Sequence, residues 1–253
     1  MTIHLKRRPA NWNTVYSRLL RAERRFGMLG RGDRVLVALS GGADSMVLLD
    51  LLAHQARAAG PALGLTLIAG HVPGRYRGRS IASVPRLASI CAGLGIELRT
   101  AARELPEETF RDCFACARAR RAALFELARE CRCGTIALGH NADDMVETAL
   151  LNIIYAGHFA ALHPNQPLLQ GAVTVIRPLA YVWKDQIDAY AAQRFPPIRR
   201  FRCPGGAASK RAAIRRQLAR WQRDGSPVKA NILQALSNPK PAYLPWGTKH
   251  NRS

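Results

Sequence analysis

Arg34-Val-Leu-Val-Ala-Leu39, then Ser40-Gly41-Gly42-Ala43-Asp44-Ser45, then Met46-Val-Leu-Leu49 is the stretch on which the reading of this chain turns. The first run is β-branched and apolar, short enough for a buried strand, and it ends in a tight glycine turn. Helical periodicity resumes from Met46 to Ala59 and stops at Gly60-Pro61. Working outward, further strands are expected at 65–72, 96–100, 135–138 and 173–176, and helices at 81–94, 115–132, 143–155 and 184–193; a polar loop fills 101–112. Strand and helix therefore alternate from 34 to 193. That alternation predicts an α/β fold, a doubly wound, mostly parallel five-stranded sheet with helices on both faces. A helix at 11–26, with Trp12, Val15, Leu19, Ala22 and Phe26 on one stripe, precedes the sheet and ends at Gly27 and Gly30. After Pro196-Pro197 a basic helix at Ser209–Arg223 gives way to a Pro-rich tail. The expected organisation is a basic helical extension at 1–31, the α/β domain at 32–200 and a basic helical C-terminal region at 201–253.

The chain has 253 residues, 48% of them hydrophobic, which suffices for a sizeable core and argues against wholesale disorder. The longest apolar run, Met46 to Ala53, is broken by Asp50, so no membrane span is expected. The basic start carries no apolar stretch behind it, so no secretory signal is read and the expected compartment is the cytoplasm. Lys and Arg number 38 against 17 Asp and Glu, a net charge of +21. Such an excess resists compaction unless a polyanion offsets it. An arginine-biased composition is the alternative. The clustering favours a partner: from Arg199 to Arg223 no acid interrupts Arg199, Arg200, Lys210, Arg211, Arg215 and Arg216. Further clusters lie at Arg18, Arg21, Arg24 and Arg25, and at Arg75, Arg77 and Arg79.

In a parallel sheet ligands sit at the carboxyl ends of the strands. Ser40-Gly41-Gly42, His71 and Gly139-His140 all fall there and should converge on one crevice. Glycines at 41 and 42 let backbone amides approach an anion, and the helix that follows adds unpaired N–H donors and partial positive charge. Ser40 and Ser45 can donate to phosphate oxygens, and Asp44 can hold Mg²⁺. A plain glycine turn with Asp44 or Ser45 as a helix cap is the alternative. The six cysteines are Cys91, Cys113, Cys116, Cys131, Cys133 and Cys203; in a cytoplasmic chain they read as thiols or metal ligands rather than a disulfide framework. Cys91, on an apolar helix face, reads as packing, and Cys131 and Cys133 are left unassigned.

Ser40-Gly-Gly-Ala-Asp-Ser45 resembles the PP-loop of the N-type ATP pyrophosphatases, and Gly139-His140-Asn-Ala-Asp143-Asp144-Met-Val-Glu147-Thr148 resembles a second stretch of their tRNA-modifying members. Cys113-Phe-Ala-Cys116 with Arg118 and Arg121 behind it, Ile176-Arg-Pro-Leu-Ala-Tyr181 and the distant Cys203 narrow the resemblance to the tRNA 2-thiocytidine synthetases, over most of the chain. That resemblance implies a HUP-like PP-loop domain at 32–200. It implies ATP at Ser40, Gly41, Gly42, Asp44, Ser45, His71, Gly139 and His140, and Mg²⁺ at Asp44, Asp143 and Asp144. It also implies a [4Fe-4S] cluster at Cys113, Cys116 and Cys203. Three thiolates leave one iron of a four-iron cube open to a sulfur ligand, whereas structural zinc asks for a fourth protein ligand. Two departures stand out. Ala43 replaces a lysine usual in the thiocytidine enzymes, and His71-Val72-Pro73 replaces an acidic segment.

The implied reaction is ATP-dependent tRNA thiolation. A pyrimidine C2 oxygen is adenylated, pyrophosphate leaves, and sulfur then displaces AMP, with Asp44, Cys113, Cys116 and Cys203 as catalytic residues. Arg118, Arg121, Arg199, Arg200, Lys210, Arg211, Arg215 and Arg216 are the expected tRNA contacts. The sulfur donor is expected to be an enzyme such as a cysteine desulfurase, and a homodimer is allowed. The alternatives are a lysidine synthetase, a 2-thiouridine-forming enzyme or a non-catalytic RNA-binding relative.

Overall fold

The computed structural model describes residues 5–197 and 209–243, the side chains at 59–62 and 113 excepted. They fall into two compact units, Met1–Ala142 with His163–Ser209, and Asp143–Leu162 with Lys210–Ser253.

The first unit is built on a sheet in which β1 (Arg34–Ala38) is central. Val35, Leu36 and Val37 are wholly buried because helices cover both faces, as the unbroken apolar run requires. Each such side chain contributes roughly 1.5–3 kcal/mol by leaving water. β2 (Thr66–His71) and β5 (Glu97–Thr100) lie to one side of β1; β6 (Thr135–Ala137), β8 (Val173–Ile176) and β7 (Asn165–Leu168) lie to the other. The order β5-β2-β1-β6-β8-β7 therefore reverses direction at β1, so the turn after β1 stands at a topological switch point. All pairs are parallel except β7 with β8, where Asn165 opposes Ile176 and Leu168 opposes Val173.

The sheet thus has six strands rather than the five expected. β7 reads Asn-Gln-Pro-Leu, without apolar alternation, and Pro167 cannot donate to a ladder; an outermost position tolerates both. Arg75–Tyr76 (β3) and Arg79–Ser80 (β4) add a small hairpin. The helices of this unit are α1 (Trp12–Phe26), α2 (Ala43–Leu63), α3 (Val84–Leu94), α4 (Cys113–Glu130) and α6 (Lys184–Arg194). α1 buries Val15, Leu19, Ala22 and Glu23, and α3 starts three residues later than expected, with Pro85 in its first turn. Buried Asp50 ties α2 to α6: Arg194 donates from Nε at 2.8 Å and Nη2 at 3.0 Å, and the Tyr190 hydroxyl at 2.7 Å.

α5 (Ala142–Leu151) passes, beyond its first residue, into the second unit. That unit adds α7 (Lys210–Trp221) and α8 (Val228–Ser237), the latter where a Pro-rich tail was expected. Its anchor is Glu147, buried and gripped by Arg215 through Nε at 2.7 Å and Nη2 at 2.9 Å. Among the described residues, no helix is long and apolar enough to cross a membrane.

Candidate active site

The turn between β1 and α2 is held by its own hydroxyls. Ser45 Oγ accepts from Ser40 N at 3.2 Å and donates to the Gly42 carbonyl at 3.0 Å; Ser40 Oγ lies 3.1 Å from Ser45 Oγ and accepts from Gly42 N at 3.3 Å. Ser45 is buried, and its proton serves the loop through the Gly42 carbonyl. Gly41 sits at φ +83°, and a Cβ there would meet Ala82 Cβ at 3.2 Å; both the backbone and the space demand glycine. Gly139 matters differently. A Cβ on it would lie 3.0 Å from the Asp44 carbonyl carbon and Ser45 N, so its bareness lets the end of β6 close onto the first turn of α2.

Asp44 is the most heavily engaged side chain here. Lys184 Nζ donates to its two oxygens at 2.9 and 2.8 Å, and buried Asn141 donates from Nδ2 at 2.8 Å. Lys184 also pairs with Asp188 at 3.1 Å. An ammonium thus stands at the loop although position 43 is Ala, and it comes from the first turn of α6. Mg²⁺ ordinarily takes a carboxylate together with phosphate oxygens, and Asp44 offers one only in exchange for its Lys184 pair.

A crevice opens beside the loop, lined by Ser40, Gly70, His71, Ile81, Arg120 and Leu124 among others. His71 is buried, with Nδ1 2.8 Å from the Leu39 carbonyl and Nε2 without a partner. Burial pushes its pKa down, against the pull of the Leu39 carbonyl, and Arg120 adds to the lowering. The neutral ring donates from Nδ1 and leaves Nε2 an acceptor, a buried polar atom in need of a ligand. His140 is steadied by Arg177, whose Nε donates to Nδ1 at 3.3 Å; Arg177 also donates to the His163 carbonyl. Burial, and then the nearby Arg121, push the Arg177 guanidinium down to about 10.

Arg120 joins the crevice to sulfur. One turn earlier on α4, Cys116 is half-buried with Sγ 3.9 Å from Arg120 Nη2. Position 113 opens the helix, one turn from 116, with Asp112 capping it through Phe114 N at 2.9 Å. Cys203, Arg199 and Arg200 lie outside the described residues. Cys91 and Cys133 are packing groups: burial raises both to about 11, and Cys133 donates to the Cys131 carbonyl.

Arg118 and Arg121 are exposed on α4. In the second unit Arg211 Nη1 stands 3.4 Å from both Asp144 and Glu147, Lys229 holds Asp143 at 2.7 Å, and Lys210 covers Tyr155 at 4.7 Å. Arg215 and Arg216 are exposed, and hydrogen bonding to Glu147 raises the Arg215 pKa. Asp143 and Asp144, the expected Mg²⁺ partners, are thus engaged by cations; among the described residues no three His, Cys, Asp or Glu side chains are grouped to hold a metal ion. Sequence reasoning gave no role to Asn141 and Arg177, which lie inside the quoted motifs just past β6 and β8, where a parallel sheet places its ligand contacts, and overlooked Lys184 on α6.

The PP-loop domain family matches residues 16–221. The tRNA-cytidine(32) 2-sulfurtransferase of Alkalilimnicola ehrlichii is 36% identical over 232 residues, covering 88% of this chain and 72% of that protein. The enzyme of the same name from Geobacter sulfurreducens is 36% identical over 234 residues, covering 88% and 89%. Among solved structures, the U34-tRNA thiolase NcsA from Methanococcus maripaludis, with its [4Fe-4S] cluster, superposes at TM-score 0.68 and 22% identity, over 87% of this chain and 76% of that one. The likeness extends to the fold.

Proposed function

We propose that this chain, which belongs to the PP-loop family and within it to the tRNA-cytidine(32) 2-sulfurtransferases, is a cytoplasmic ATP-dependent tRNA thiolase acting on C2 of a pyrimidine. The observation that carries the reading is the reach of Arg120, which lines the crevice beside Ser40 and His71 and also approaches Cys116 Sγ. Nucleotide and sulfur chemistry are thereby served from one helix turn.

A pyrimidine C2 oxygen is a poor leaving group. Its attack on the α-phosphorus of ATP forms a phosphate ester and expels pyrophosphate; sulfur then attacks C2 and AMP departs with the oxygen. The loop amides and the start of α2 hold the departing pyrophosphate, where donors fixed in advance are worth most. Lys184 offsets phosphate charge, and Asp44 is the carboxylate that would hold an accompanying Mg²⁺. His71 Nε2 accepts from the bound nucleotide, and Arg177 orients His140. Cys113, Cys116 and Cys203 suit an iron–sulfur centre by donor type, since soft thiolates prefer it. When bound, a [4Fe-4S] cluster supplies an open iron site for the incoming sulfur. Arg118, Arg121 and the exposed arginines of α1 and α7 hold tRNA phosphates, and a cysteine desulfurase is the class of enzyme that supplies the sulfur.

The test is nucleoside analysis of unmodified tRNA incubated anaerobically with the protein, ATP and a sulfide source. A new thiolated pyrimidine is expected, and Cys116→Ser should abolish it while tRNA-dependent pyrophosphate release persists. Thiolation by Cys116→Ser at the wild-type rate would refute the assignment.

A further inference from the structure

A second cavity opens on the first unit, lined by Arg8, Trp12, Asp50, His54, Arg57 and Arg194. Its chemistry differs from that of the nucleotide crevice. The Asp50 carboxylate is already matched by the Arg194 fork and the Tyr190 hydroxyl. Arg8 stacks 3.9 Å above the Trp12 ring, which packs in turn on Tyr16 and the edge of His54. Stacking fixes a guanidinium in place and leaves its charge intact. Arg57 gives one N–H to the Leu94 carbonyl at 2.9 Å, out of five donors. Burial, then Arg8 and Arg57, lower the His54 pKa against the pull of Asp50, so the imidazole adds no charge at neutral pH. Three guanidinium groups thus face one carboxylate, and the lining keeps an excess of positive charge.

Position separates this cavity from the loop. Asp44, His54 and Arg57 share α2, so at ~1.5 Å per residue His54 lies about 15 Å and Arg57 about 20 Å along the axis from the loop. No single nucleotide touches both. A nucleic-acid strand, whose phosphates recur over several nucleotides, does. Arg8 and Arg57 are exposed, and α1 continues the positive character with exposed Arg21, Arg24 and Arg25. A track of this kind suits a chain of phosphates better than a free anion.

We propose that the cavity is a phosphodiester subsite for the tRNA substrate, with Arg8 and Arg57 as its two contacts, anchoring the RNA at a distance from the reacting base. The assignment rests on the reading of the protein as a tRNA thiolase and adds the place where the backbone is gripped. The experiment measures affinity for an unmodified tRNA transcript between 50 and 300 mM salt, for wild type, Arg8→Gln/Arg57→Gln and Arg8→Lys/Arg57→Lys. ATP affinity is measured alongside. The Gln pair should bind tRNA ~10-fold or more weakly at low salt, with a salt slope shallower by about 1.4–1.8 for two lost phosphate contacts. The Lys pair should keep the slope, and ATP affinity should not move. An unchanged slope in the Gln pair overturns the subsite alone, provided wild type binds tRNA; a wild type that fails to bind tRNA removes the thiolase reading as well. Equal losses of ATP and tRNA affinity also overturn the subsite, because the arginines then act through the fold.

Discussion

Glu23 offers a sharp test of how α1 is seated. Glu23 is 7% exposed, Gln55 Nε2 donates to its Oε2 at 2.7 Å, and Oε1 and Gln55 Oε1 are both buried without partners. One proton on Glu23 turns Oε1 into a donor and can relieve both acceptors. Burial accordingly pushes the pKa from 4.5 up to about 7, against smaller lowering by Gln55 and Arg24. The sign follows from proton binding: between pH 4.5 and about 7 the folded state holds a proton that the unfolded state has released, so stability falls as pH rises through that window. The shift is roughly 2.5 pH units, or ~3 kcal/mol at 1.36 kcal/mol each, exerted in full above pH 7. Glu23→Gln removes the charge and lets two amides pair. At pH 8 it should stabilise the protein by ~2–3 kcal/mol, a rise of ~5–10 °C in the thermal midpoint followed by circular dichroism. At pH 4.5 the gain should vanish. A gain of equal size at both pH values, or a loss at pH 8, would refute the argument.

Two predictions concern the loop. Lys184→Ala should weaken ATP binding by about 10- to 100-fold, the ~1.5–3 kcal/mol of a charged hydrogen bond, and adding Ala43→Lys should restore part of it in calorimetric titration; tighter binding by the single variant would contradict the role given to Lys184. Gly139→Ala forces a methyl against the backbone of Asp44 and Ser45, an overpacking cost of ~1–3 kcal/mol. Pyrophosphate release should fall by about 10-fold or more, with ATP affinity reporting the same displacement and the circular dichroism spectrum unchanged.

The alternation of strand and helix was legible because it rests on local pattern, and the Ser40–Ser45 turn declared itself between them. β7 did not, since Asn165-Gln-Pro-Leu carries no strand signal and is recruited by the unpaired edge of β8. α8 was hidden by Pro227, Pro239 and Pro241, which read as a tail although they only bracket ten helical residues. At the site, the motifs were found and the pairings of their residues were not. Lys184 and Asn141 meet Asp44 across 140 and 97 positions, a proximity that only the folded sheet creates. Arg211 and Arg215 show the opposite limit. Their charge was evident in the sequence, but their ion pairs with Glu147 depend on α7 packing against α5.

The paired hydroxyls of Ser40 and Ser45 have a thermodynamic corollary for the arrival of substrate. Ordering a backbone residue costs about 1–2 kcal/mol of entropy. Where a ligand must organise a floppy segment around itself, that cost is subtracted from its affinity. Here the segment is braced by its own hydroxyls, so the outlay is met once, when the polypeptide folds. Triphosphate then docks into a finished socket, and its binding energy remains available for strain and alignment at the α-phosphorus.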